Sequence, residues 1–106
     1  MKVLLTGSAG QLGQALIASA PQGLELMATS RRGGPGLAAI DLSDAAACRA
    51  AVEEYQPDWV LNVGAYTAVD KAESEPELAE AVNAGAPEAF SAALMQQGGR
   101  LLQLST

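Results

Sequence analysis

Residues 1–13 read MKVLLTGSAGQLG, and this stretch decides the fold. An apolar run, Val3-Leu4-Leu5, ends in Thr6 and then meets three glycines at Gly7, Gly10 and Gly13. Gly13 already lies inside a helical pattern, because Leu12, Leu16 and Ser19 or Ala20 fall on one helix face. A buried strand, a glycine turn and a helix start form the nucleotide-binding opening of a βαβ unit. A side chain in the turn would hold the backbone away from a pyrophosphate. The helix N-terminus then offers unpaired N–H groups and the positive end of its dipole to the negative charge. Gly7 is read as the tight turn, Gly10 as the close approach, and Gly13 as the point where helix packs on strand. Gln11 and Leu12, which open the helix, complete this candidate cofactor-binding set.

Working outward, the chain alternates short apolar runs with helical segments. Pro21-Gln22-Gly23 breaks the first helix, and Leu24–Thr29 alternates as a second strand. Ser30–Gly36 is a loop, and Ala38–Asp41 a short third strand. Ser43 is placed as an N-cap, after which Ala45, Cys48, Val52 and Tyr55 recur at helical spacing until Pro57 stops the pattern. Trp59–Val63 is a fourth strand. Ser74-Glu75-Pro76-Glu77 is a capping box with proline at the first helical position. Leu78, Val82, Ala86, Ala89, Phe90 and Ala93 mark one apolar face beyond it, and Pro87 should kink or divide that helix. Gly98-Gly99 ends it, and Arg100–Ser105 is a fifth strand. Strands separated by helices pair in parallel through right-handed crossovers. The expected architecture is a Rossmann-like, doubly wound parallel α/β sheet in the order 3-2-1-4-5, one domain over residues 1–106. Its ligand would lie over the carboxyl ends of strands one and four, where the winding reverses.

Composition limits the rest. A net charge of −6 and the lack of basic clusters argue against nucleic acid as a partner. No apolar run is long enough for a bilayer, so no membrane partner is expected. With no histidine and a single cysteine, neither a metal site nor an internal disulfide is expected. Met1-Lys2 leads straight into the first strand, which leaves no room for a signal peptide and points to the cytoplasm.

The loop after the second strand bears on the cofactor. A domain built for NAD often carries an acidic residue there for the adenine ribose hydroxyls. Here Ser30 stands at that place, followed by Arg31 and Arg32. Two guanidinium groups without a carboxylate suit a 2′-phosphate, which favours NADPH over NADH. The competing reading is two solvated arginines in a surface loop.

The G-x-x-G-x-x-G spacing resembles the extended branch of the short-chain dehydrogenase/reductase superfamily. More specific is residues 62–77, NVGAYTAVDKAESEPE, which resembles the dTDP-4-dehydrorhamnose reductases. The likeness continues through Val82-Asn83-Ala84 to Gln103-Leu104-Ser105-Thr106 and so covers the chain. It implies that NADPH delivers hydride to the C4 ketone of a dTDP-linked 6-deoxy-4-hexulose, giving dTDP-L-rhamnose. Asp41-Leu42 would bracket the adenine, although Asp41 could equally help to cap the next helix. Ala65, Tyr66 and Thr67 would lie along the dinucleotide. Thr106 would polarise the substrate ketone as a catalytic residue. Asp70 and Lys71 fit either a site or a solvated ion pair. The family's proton donor, a Tyr with a Lys four residues on, has no counterpart, since Trp59 follows Tyr55 at that distance and Asp70 follows Tyr66. The expectation is therefore the cofactor half of a longer reductase, with the dTDP-sugar bound by the whole protein and a homodimer left open. Alternatives are a non-catalytic relative, like the regulatory subunit of methionine adenosyltransferase, or a sugar-nucleotide epimerase or dehydratase.

Overall fold

The computed structural model describes residues 1–8, 10–63 and 81–103. Strand β1 (Lys2–Thr6) leads to helix α1 (Gln11–Ala18), β2 (Glu25–Ser30) and β3 (Ala38–Ala39). Helix α2 (Ala45–Tyr55) returns the chain to β4 (Trp59–Asn62). A π-helical turn (Ala81–Gly85) runs into α3 (Ala86–Gln97), and β5 (Arg100–Gln103) follows. The five strands form one sheet in the order β3-β2-β1-β4-β5, with every neighbouring pair parallel. That is the expected order, with the winding reversing between β1 and β4.

Val3, Leu4 and Leu5 are all buried because both faces of the central strand are covered, as a continuous apolar run in a parallel sheet requires. The register puts Leu4, Met27, Val60 and Leu101 on one face. There they meet Cys48 and Val52 of α2 and Ala86, Ala89, Phe90, Ala93 and Leu94 of α3. Helices α2 and α3 pack on each other over this core, and Phe90 is its largest fully buried side chain. On the opposite face Val3, Leu5, Leu26 and Leu61 lie beside Leu16 of α1.

Several local expectations need correction. The N-cap of α2 is Asp44, whose carboxylate accepts from the Ala46 and Ala47 N–H groups at 3.1 and 3.2 Å. Ser43 is unavailable, since its hydroxyl and N–H both donate to the Asp41 carboxylate, at 2.6 and 3.0 Å. Leu12 is 50% exposed, and Gly13 is the residue α1 buries. Strand β3 is two residues long, Ala38–Ala39, shorter than the expected Ala38–Asp41. Pro87 divides the last helical region as expected. It stands in the first turn of α3, where its missing N–H costs no helical hydrogen bond. The capping box at Ser74–Glu77 lies outside the described residues.

Candidate functional site

The glycine turn lies at the carboxyl end of β1. Gly7 has φ +70°, a left-handed conformation that side chains disfavour. The turn closes with the Gly10 N–H donating to the Gly7 carbonyl at 3.2 Å. A Cβ at Gly13 would fall 2.2 Å from the Gly7 carbonyl oxygen and 2.7 Å from the Ser8 Cα, so only glycine lets α1 sit on the turn. Gly10 differs. Its φ of −81° suits any residue, and among the described residues a Cβ there would meet nothing nearer than the Gly7 oxygen at 3.5 Å. The packing of the described residues does not demand glycine at this place. Gly10 is also the N-cap of α1, where, among the described residues, no side chain caps the helix, and its first turn holds no acidic residue. Gln11 and Leu12 are exposed beside it.

Four residues whose hydrogen bonds sequence reasoning did not foresee lie around this turn. Ser8 is fully buried, and its N–H donates to the Thr29 carbonyl at 3.0 Å while its hydroxyl accepts from the Thr29 N–H at 3.1 Å. The Thr29 hydroxyl donates to the Leu5 carbonyl at 2.9 Å, binding the end of β2 to β1. Gln14 reaches back from α1 to the Ser8 carbonyl at 2.6 Å. Asn62 closes β4. It accepts from the Thr6 hydroxyl at 2.5 Å and donates to the Gln103 side-chain oxygen at 2.6 Å. The available signal was a polar residue ending each apolar strand run: Thr6, Thr29, Asn62. Among the described residues, no buried side-chain nitrogen or oxygen lacks a hydrogen-bond partner.

At the end of β2, the Ser30 hydroxyl donates to the Gly33 carbonyl at 3.2 Å, and the Ile40 N–H donates to the Ser30 carbonyl at 2.9 Å. Arg31 and Arg32 are exposed at the start of the loop so closed. Arg31 is near enough for its charge to act on Asp41. The Asp41 carboxyl is held below its ordinary value, first by the Ser43 hydroxyl, then by the Ser43 N–H, with Arg31 adding to the effect. Asp41 thus shapes the turn before α2, while Leu42 is half-buried and packs against the core. Gly7, Gly10, Gln11, Leu12, Gly13, Ser30, Arg31, Arg32, Asp41 and Leu42 all fall on the carboxyl side of the sheet. Ala65, Tyr66, Thr67, Asp70, Lys71 and Thr106 lie outside the described residues.

Among the described residues, a helix N-terminus without a side-chain cap, a turn with room at Gly10 and two exposed arginines after β2 make a carboxyl edge suited to a phosphorylated dinucleotide. Comparison with known proteins fits that geometry. The RmlD substrate binding domain family matches over residues 1–106. The chain belongs to the dTDP-4-dehydrorhamnose reductase family. It is 43% identical to the dTDP-4-dehydrorhamnose reductase of Streptomyces griseus, over 97% of this chain and 32% of that protein. The crystal structure of a dTDP-4-dehydrorhamnose reductase from Clostridium acetobutylicum superposes with a TM-score of 0.87 at 32% identity, covering 99% of this chain and 36% of that one. The Bacillus anthracis reductase in complex with NADP superposes with a TM-score of 0.79 at 28% identity, covering 94% of this chain and 34% of that one. The chain therefore spans about a third of the length of the relatives it matches. Among the described residues, no helix is long and apolar enough to cross a membrane, and no group of three acidic, Cys or His residues could hold a metal ion.

Proposed function

We propose that this chain is the cofactor-binding part of an NADPH-dependent reductase. The reaction is reduction of the C4 ketone of dTDP-6-deoxy-L-lyxo-4-hexulose to dTDP-L-rhamnose. The observation that carries the cofactor half of this reading is Gly10. The packing of the described residues leaves room for a side chain there, and the space a Cβ would take is space a pyrophosphate can use. Bound NADPH supplies the hydride that adds to the ketone carbon, and a proton donor completes the alcohol.

The chain's own groups have separate tasks. Backbone N–H groups at the start of α1 receive the pyrophosphate, with Gly7 and Gly13 shaping the approach. Arg31 and Arg32 receive the adenosine 2′-phosphate, where guanidinium forks bind more strongly than they would a bare ribose hydroxyl. Asp41 and Leu42 border the adenine, and Ala65, Tyr66 and Thr67 line the dinucleotide across β4. The Thr106 hydroxyl polarises the ketone toward the developing alkoxide. The family's Tyr-Lys pair, which would hold the proton, is supplied by another part of the reductase. The substrate assignment rests on the names of the relatives and on residues 62–77.

The test is NADPH oxidation by the full-length protein with dTDP-6-deoxy-L-lyxo-4-hexulose, with the product identified by chromatography against dTDP-L-rhamnose. Stoichiometric formation of that product is expected. NADPH binding without turnover of this sugar would overturn the substrate assignment, and no NADPH binding would overturn the cofactor assignment.

A further inference from the structure

We propose that Gln14 is a positioning residue for the cofactor's pyrophosphate, engaging a carbonyl oxygen of the glycine turn that would otherwise repel the anion. The inference rests on the cofactor reading above. A turn that binds an anion carries a conflict within it. Its N–H groups attract phosphate, while a carbonyl oxygen among them repels it unless a donor already engages that oxygen. In the described residues of this turn each carbonyl has such a donor. The Gly7 carbonyl accepts from the Gly10 N–H at 3.2 Å, and the Gly10 carbonyl accepts from the Gln14 N–H at 3.0 Å. Both are backbone bonds, made by the turn and by the start of α1 whatever their side chains. The Ser8 carbonyl differs. Its donor is a side chain, the Gln14 amide nitrogen at 2.6 Å.

Holding the turn in place does not need this bond. Gly13 already seats α1 on the turn, where a Cβ would fall 2.2 Å from the Gly7 carbonyl oxygen. Ser8 is already tied to β2, its N–H and hydroxyl bonding the Thr29 backbone at 3.0 and 3.1 Å. Gln14 is itself exposed, so water could take either partner of its bond at little cost to the fold. What the bond adds is electrostatic. A free carbonyl dipole beside a doubly charged pyrophosphate opposes binding. Engaged by the amide, the same oxygen is covered by the positive end of a second dipole, set in place before the ligand arrives. The effect acts on the pyrophosphate, which NADPH and NADH share. It leaves the 2′-phosphate end, assigned to Arg31 and Arg32, as it was.

The experiment is calorimetric titration of the full-length protein and its variants Gln14→Met and Gln14→Asn. The probes are NADPH, NADH and adenosine 2′-monophosphate, which lacks the pyrophosphate. Methionine keeps the length and helix preference of glutamine but cannot donate, whereas asparagine keeps the amide on a shorter stem that does not reach Ser8. Both variants should bind NADPH and NADH about five- to tenfold more weakly, and adenosine 2′-monophosphate within about twofold of the parent. Their melting temperatures should stay within about 3 °C of the parent. Parental NADPH affinity in either variant would overturn the proposal. So would a loss confined to NADPH, or one shared equally by adenosine 2′-monophosphate, which would mark the bond as merely structural. If the unaltered protein bound neither dinucleotide, the cofactor reading would fail and this proposal with it.

Discussion

Helices α1 and α2 both begin on the carboxyl side of the same sheet, and their N-termini are finished in opposite ways. The Asp44 carboxylate caps α2, accepting from two of its first N–H groups. Asp41 and Ser43 add a second layer of hydrogen bonds in front of it. The positive end of that helix is neutralised within the protein. At α1 the corresponding place is Gly10, with no side-chain cap and no acid in the first turn. A glycine at the N-cap forgoes a few tenths of a kcal/mol of stability compared with a good side-chain cap. On the proposed reading, the difference separates a helix end that a ligand completes from one that the chain completes itself.

The contrast can be broken most violently at Gly13. A methyl group there would collide with the Gly7 and Ser8 backbone, atoms that cannot swing away like a flexible side chain. Gly13→Ala should cost about 3 kcal/mol or more, at the upper end for overpacking. In a domain of this size that is a fall of about 10 °C or more in melting temperature. NADPH binding should disappear with it. A variant that melts like the parent would show that α1 does not need its present seat on the turn.

Gly10→Asp sharpens the comparison by giving α1 the cap that α2 already has. The backbone angle at Gly10 suits aspartate, and a carboxylate should gain a few tenths of a kcal/mol over glycine at an N-cap. The same carboxylate would meet the pyrophosphate with like charge. NADPH affinity, followed by fluorescence titration, should fall about a hundredfold or more while the melting temperature holds or rises. A parallel loss of stability would mean that the fold, not a ligand, keeps glycine at this position. Next in size is the Arg31→Ala/Arg32→Ala double variant. NADPH affinity should fall about tenfold or more, with NADH affinity little changed, since charge-assisted bonds to a phosphate are the ones removed. Equal losses for both cofactors would assign the arginines to the solvated loop.

The two helix ends also show what the sequence could and could not reveal. The turn at Gly7 and the close packing at Gly13 were legible because each carries its meaning locally, in a strand–turn–helix pattern a dozen residues long. The strand order followed from apolar runs separated by helical periods, and it needed no knowledge of side-chain contacts. The cap of α2 was misplaced by one residue. Ser43 and Asp44 are both good caps by type, and only the geometry shows that Asp41 has already engaged Ser43. The hydrogen bonds of Ser8, Thr29 and Asn62 went unread for a different reason. Their partners stand 21 residues away for Ser8 with Thr29 and 56 for Thr6 with Asn62. No local period connects such pairs. Only the sheet brings them together.

The smallest effect is expected at the finished end, and it tests whether the two helix ends serve different purposes. Asp44→Ala removes the acceptor for the Ala46 and Ala47 N–H groups without creating a cavity, because Asp44 is exposed. The loss should be about 1 kcal/mol, the usual worth of an N-cap, and urea unfolding should show it as a lower midpoint with an unchanged slope. Asp44→Asn should recover most of it, since an amide oxygen caps nearly as well as a carboxylate. Neither variant should alter NADPH affinity, because the bonds they change are satisfied wholly within the chain. If Asp44→Ala weakened NADPH binding as strongly as it lowered stability, the α2 end would belong to the ligand's surroundings. The separation of a self-capped helix from a ligand-capped one would then be lost.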